Sequence, residues 1–230
     1  MARACFPGAV ASGLLEVRSD LGGPDRGGFW AVVVTFEGAV TCMRFADVVR
    51  FSDEEGRSPA RARTGAGSEN VMIADLVRND LARVCRPGSV DVDALCAAEV
   101  HPGLVHLVTT VSGRLRPGVR WGEIAGATLP PGSVSGAPKS SALRAIADLE
   151  TAPRGPYCGA VGWVDADAGE AGLAVGIRTF WADRDEDGAR WLRFGTGAGI
   201  TWGSDPGQEW AETELKAARL VGLASGRVRV

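Results

Sequence analysis

The 230-residue chain is 45% hydrophobic and 23% charged, with a net charge of −3. That is the balance of an ordinary globular protein of one large or two small domains. It excludes global disorder and argues against a general affinity for nucleic acid or anionic membrane surfaces. Only two of the 25 basic residues are lysines, Lys139 and Lys216. The five cysteines are scattered with no CxxC pair, which speaks against a zinc site and for a reduced compartment. No run of 18 apolar residues occurs, so a cytoplasmic protein without a membrane span is expected.

In chain order, Phe29–Met43 reads as a β-hairpin about the turn Glu37-Gly38. Residues 52–68 carry no periodic apolar pattern and read as a linker or seam between an N-terminal strand region, 1–51, and a C-terminal region, 69–225. Ser68 is placed to cap a helix beginning at Glu69, with apolar residues at helical spacing until Pro87-Gly88 ends the run. Leu104–Leu115 reads as a strand and Trp121–Leu129 as a short helix. A glycine-rich loop follows, then a helix over about 138–150 with Pro138 in its first turn. Cys158–Val164, Gly172–Trp181 and Arg190–Thr196 read as the three strands of an antiparallel meander. A last helix is expected over about 206–223. The fold class is α+β.

The last helix carries the densest chemistry. Glu209, Glu212 and Lys216 fall at i, i+3 and i+7, on one face that Leu220 and Leu223 continue. Such a face is either a solvated acidic stripe with a Glu–Lys pair, or a face turned inward whose carboxylates must pair or hold a metal. Oxygen ligands alone would suit Mg²⁺. Glu69, in the first turn of its helix, complements the helix dipole whether or not it has another task. His106 alternates with Val105 and Leu107 in its strand, as a hydrogen-bonded core histidine or a site residue. Arg178, on the strand face of Ala174 and Gly176, suits a carboxylate or a structural ion pair. The run Gly195–Gly199 is either a tight turn or a place where backbone N–H groups approach an anion. The loop Gly132–Pro138 fails the P-loop spacing, because Ala137-Pro138 separate its glycines from Lys139.

Six strings, taken together, resemble the chorismate-utilising enzymes, the family of anthranilate synthase and aminodeoxychorismate synthase component I. They are ENVMIADLVRNDLARVC from Glu69, VHLVTTVSGRL from Val105, PPGSVSGAPKSSAL from Pro130, RGPYCGAVGWVD from Arg154, AVGIRTFW from Ala174 and GTGAGITWGSDPGQEWAETELKAARL from Gly195. RGPYCG and SGAPK look most like the aminating members. The resemblance implies a shortened chorismate-binding sandwich of antiparallel sheets flanked by helices. It implies Mg²⁺ held by Glu69 and Glu212, with Glu209 in support, and substrate carboxylates gripped by Tyr157, Arg178 and the backbone of Gly197, Ala198 and Gly199. Lys216 would line the same pocket, Ser133 and Ser135 would lie beside the substrate, and His106 would sit near the ring centre. The implied reaction is amination of chorismate toward 4-amino-4-deoxychorismate on the folate and p-aminobenzoate route, or toward anthranilate, with ammonia from a glutamine amidotransferase subunit.

Full-length members carry further segments before the ENVMI helix, among them a Pro-Ile-x-Gly-Thr loop, which in the aminodeoxychorismate synthases bears a lysine thought to attack the ring; these strings are absent here. Residues 11–50 loosely resemble the opening of longer members, through Leu14–Glu16. This motivates the hypothesis that a block of roughly 100 residues, domain scale, is missing at 51–68. A closely similar longer chain that failed to align over residues 1–50 would sink that hypothesis. Removing half a sandwich exposes apolar sheet surface, which a dimer or partner would cover. A catalytically incompetent binding remnant or regulatory module is the alternative.

Overall fold

The computed structural model describes residues 2–51, 68–101 and 104–226. The linker expected over residues 52–68 thus lies outside the described residues except for Ser68.

Four strands open the chain: β1 (Arg3–Phe6), β2 (Ala9–Arg18), β3 (Phe29–Val34) and β4 (Val40–Arg50). The hairpin read from the sequence is β3–β4, closed by a bond from the Thr35 N–H to the Ala39 carbonyl, with Gly38 at φ +89°. A side chain at that φ would be strained. Then come α1 (Ser68–Ala82), β5 (Asp91–His101) and β6 (Leu104–Ser112). The helices α2 (Trp121–Thr128), α3 (Gly132–Ser135) and α4 (Lys139–Leu149) follow. The chain continues through β7 (Ala160–Asp165), β8 (Glu170–Val175), β9 (Thr179–Arg184) and β10 (Arg190–Gly195) to α5 (Pro206–Ala224).

The main sheet is antiparallel and ordered β1-β2-β4-β3-β7-β8, so strands from both ends of the sequence share one ladder. β3 is central and all but one of its residues are buried. By the period of two, Trp30, Val32 and Val34 face one way, into a cluster with Cys42, Ala160 and Val164 that Trp121 and Leu129 cover. Phe29 and Ala31 face the other way, with Ala11 and Phe45. There the Phe29 ring stacks on Trp163 at 5.7 Å. A strand buried on both faces reads as an unbroken apolar run, and FWAVVV is one.

The meander expected over residues 158–196 is two hairpins in separate sheets, β7–β8 and β9–β10. The predicted continuous strand Gly172–Trp181 breaks at Gly176–Arg178, where Arg178 takes φ +48°. Gly176 is pinned from a distance: its carbonyl accepts from the Cys158 N–H and its own N–H donates to Gly159, both at 2.9 Å. The β5–β6 hairpin stands as a third sheet, packed against α1. Pro138 occupies the N-cap position of α4, outside its first turn, and α1 is described from Ser68 onward. The architecture is α+β, antiparallel sheets flanked by helices. No described helix is long and apolar enough to cross a membrane.

Candidate functional site

The turn Arg154–Gly159, the bend Gly176–Arg178, the glycine run after β10 and the inner face of α5 meet at one place. Tyr157, half-buried, is the centre. A β-carbon on Gly195 would overlap its ring, and one on Gly197 would stand 2.6 Å from its hydroxyl, so these glycines give the ring its room. The Gly197 carbonyl accepts a hydrogen bond from Lys216 Nζ at 3.2 Å, and the same ammonium holds Glu212 Oε1 at 2.5 Å. Contacts therefore run unbroken from Tyr157 through Gly197 and Lys216 to Glu212.

The inner face of α5 is real: Glu209, Lys216, Leu220 and Leu223 are half-buried, whereas Glu212 is exposed. Both sequence readings of this face hold in part, since the Glu–Lys pair exists and the leucines turn inward. Asp205 caps the helix by accepting the Gln208 N–H at 2.9 Å.

Arg178 does not share a strand face with Ala174 and Gly176, as the periodicity suggested. It sits in the left-handed bend just before Thr179, which pairs with Gly195. Arg178 is exposed and has no hydrogen bond or ion pair among the described residues. A left-handed arginine is uncommon, and such positions concentrate at functional sites. Cys158, at φ +62°, is a second one beside it.

Burial above all, and then the neighbouring Cys158, push the Tyr157 phenol up to about 12, against the opposing pull of the Arg154 guanidinium. The tyrosine is thus a neutral hydrogen-bond donor at physiological pH. Thr196, between Gly195 and Gly197, is not marked by any sequence pattern of its own. Its hydroxyl is buried and has no partner among the described residues, the kind of orphan that calls for an explanation in a native structure. Ala198 is half-buried and Gly199 exposed in the same run.

The serine loop is the short α3. The Ser135 hydroxyl is committed to the Pro131 carbonyl at 2.9 Å, while Ser133 lines an apolar cavity of about 290 Å³ between β3, β7, β8 and the helices α1, α2 and α3. Lys139 bonds Asp80 at 2.9 Å and so joins α4 to α1 rather than entering the tyrosine cradle. Glu69 lies on α1 and His106 on β6, opposite Glu99 in the β5–β6 register; their side chains lie outside those described. Among the described residues no cluster of three His, Cys, Asp or Glu side chains could hold a metal. Glu209 and Glu212, one turn apart, supply oxygen donors of the type Mg²⁺ takes, so the residues fit such an ion in chemistry.

A chain with this fold and this cradle belongs to the chorismate binding enzyme family, whose model matches residues 66–222. Its relatives include anthranilate synthase component 1 of Saccharolobus solfataricus, 42% identical over 153 residues, covering 66% of this chain and 35% of that protein. The Synechocystis anthranilate synthase component 1 is also 42% identical, over 67% of this chain and 30% of its own length. The crystal structure of anthranilate synthase component I from Streptococcus pneumoniae aligns with a TM-score of 0.55 at 39% identity, over 65% of this chain and 33% of that one. An isochorismate synthase structure, DhbC from Bacillus anthracis, aligns at a TM-score of 0.66 over 94% of this chain and 93% of that one. At 14% identity it speaks for the fold alone. The chain spans about a third of the length of the curated relatives it matches.

Proposed function

We propose that this chain binds chorismate in the cradle of Tyr157, Arg178, Gly197, Ala198, Gly199 and Lys216, as part of an amination of anthranilate synthase component I type. The observation that carries the reading is the unbroken contact from Tyr157 through Gly197 and Lys216 to Glu212. A dianionic substrate needs converging donors in a partly dry site, and a neutral phenol, an exposed guanidinium, a glycine-rich backbone run and an ammonium are such donors. Glu209 and Glu212, with Glu69, would hold Mg²⁺, which when bound would neutralise a substrate carboxylate and ease departure of the ring hydroxyl. His106 would stand near the ring, Ser133 and Ser135 beside it, and ammonia would come from a glutamine amidotransferase subunit in the cytoplasm.

Calorimetric titration with chorismate, with and without Mg²⁺, tests the reading. Mg²⁺-dependent binding is expected, and Glu212→Gln should abolish the dependence; unchanged Mg²⁺ affinity in that variant refutes the metal assignment. Added ammonium separates the products. Anthranilate forms with release of pyruvate and water, whereas 4-amino-4-deoxychorismate forms with release of water alone. Trp202 is fully exposed, and Ile200 is 84% and Trp210 65% exposed beside the cradle. That apolar surface favours a second reading, a binding module that needs further polypeptide over α5, from a second copy or a partner, before it turns over. Binding without product would select it.

A further inference from the structure

We propose that Arg154 is the positioning residue of this cradle, holding the ring of Tyr157 and the serine loop together, with Glu37 of the N-terminal hairpin locking it in place. The inference rests on the reading of Tyr157 and the serines as substrate contacts.

The Arg154 side chain is 15% exposed and reaches four elements. Its Nε and Nη2 grip both carboxylate oxygens of Glu150, just past the end of α4, at 2.9 and 2.6 Å. Its Nη1 donates to the Val134 carbonyl at 3.1 Å, the peptide between Ser133 and Ser135. The guanidinium carbon lies 4.4 Å from the centre of the Phe36 ring and 5.7 Å from that of Tyr157. Each contact uses a different property of the group: the fork takes the carboxylate and the carbonyl, and the planar cation takes the two rings. A lysine could supply only the charge.

The turn that carries Arg154 is itself fixed from the N-terminal side. Glu37 Oε1 accepts the backbone N–H of Arg154 at 2.7 Å and of Gly155 at 3.3 Å, and the Phe36 N–H donates to the Gly155 carbonyl at 2.8 Å. Residues more than a hundred positions upstream thus set the height of Tyr157 over Gly195 and Gly197. On this view the hairpin β3–β4 belongs to the site although none of its side chains is assigned to the substrate.

Tyr157 is the only tyrosine in the chain, so ¹³Cζ-tyrosine NMR reads it alone. Wild type, Arg154→Met, Arg154→Lys and Glu37→Met are compared by this resonance and by chorismate titration in Mg²⁺. Arg154→Met is expected to move the Tyr157 resonance and weaken chorismate binding at least tenfold. Glu37→Met, which has no acceptor oxygen, should do both to a smaller extent, and Arg154→Lys should not restore wild-type affinity. If Arg154→Met does not fold, Glu37→Met decides, since it removes the acceptor oxygen and leaves the guanidinium in place. Wild-type affinity in the variants overturns the proposal. So does weakened binding with an unmoved tyrosine signal, because Arg154 would then act on the ligand directly. Failure of the wild type itself to bind chorismate sinks the substrate reading instead, a result separate from either.

Discussion

The hydroxyl of Tyr157 lies 2.6 Å from where a β-carbon on Gly197 would stand, and the ring itself covers Gly195. Gly195→Ala must therefore displace the ring or the strand end. Overpacking of this kind costs about 1–3 kcal/mol. A urea-unfolding midpoint lowered accordingly is expected, with Gly197→Ala milder because it meets only the tip of the side chain. Equal stability of Gly195→Ala and wild type would contradict the packing.

The Tyr157 phenol should titrate near 12 rather than near the ordinary 10, read as tyrosinate absorbance. The folded state keeps its proton where the unfolded chain has lost it. Stability from this group is therefore intact below about pH 10 and declines as pH rises toward 12. A midpoint near 10 in the folded protein would show the ring to be solvated.

Arg178 offers a separation of stability from function. Arg178→Gly places at φ +48° the residue that tolerates it best, so its thermal midpoint should equal or exceed wild type. Chorismate binding should nevertheless fall at least tenfold. A large loss of stability would point instead to a structural partner for the guanidinium.

Thr196→Val removes a buried hydroxyl that has no partner among the described residues. An unsatisfied hydroxyl costs about 1–3 kcal/mol, so the variant is expected to be no less stable than wild type in denaturant. Marked destabilisation would show that the hydroxyl is in fact satisfied.

The Lys139–Asp80 pair is partly buried, with side chains 24% and 16% exposed. Lys139→Met strands the carboxylate between α1 and α4, and the expected cost, discounted for this exposure, is about 1–3 kcal/mol. The double variant with Asp80→Asn should recover part of it in a double-mutant cycle. Strict additivity of the two changes would show no coupling.

The elements visible in the sequence were those whose local pattern coincides with their packing. FWAVVV lies buried on both faces of a sheet, and the leucines of α5 follow the carboxylates onto one helix face. β5 is not legible in the sequence because its register shifts between Val92, Ala94 and Ala97, and because Cys96 at φ +50° breaks the alternation that marks a strand. The break at Arg178 depends on Gly176 bonding to a turn 17 residues earlier, which no short window contains. Tyr157 and Lys216 could be named from family-like strings, but Thr196 had no signal beyond its place between two glycines. Arg154 opens one of those strings, but its role is not legible there, since Phe36 and Glu37 lie more than a hundred positions away in sequence.

The pairing of β3 with β7 joins residues 126 to 136 positions apart. At synthesis rates of about 5–20 residues per second, Phe29–Val34 leaves the ribosome on the order of ten seconds before its second neighbour exists. For that interval a wholly apolar strand has one open edge, the condition under which chains pair with each other instead of with themselves. The ladder that joins residues 29–34 to residues 160–165 is thus also a hazard during synthesis, and a holding chaperone would find a target at that open edge.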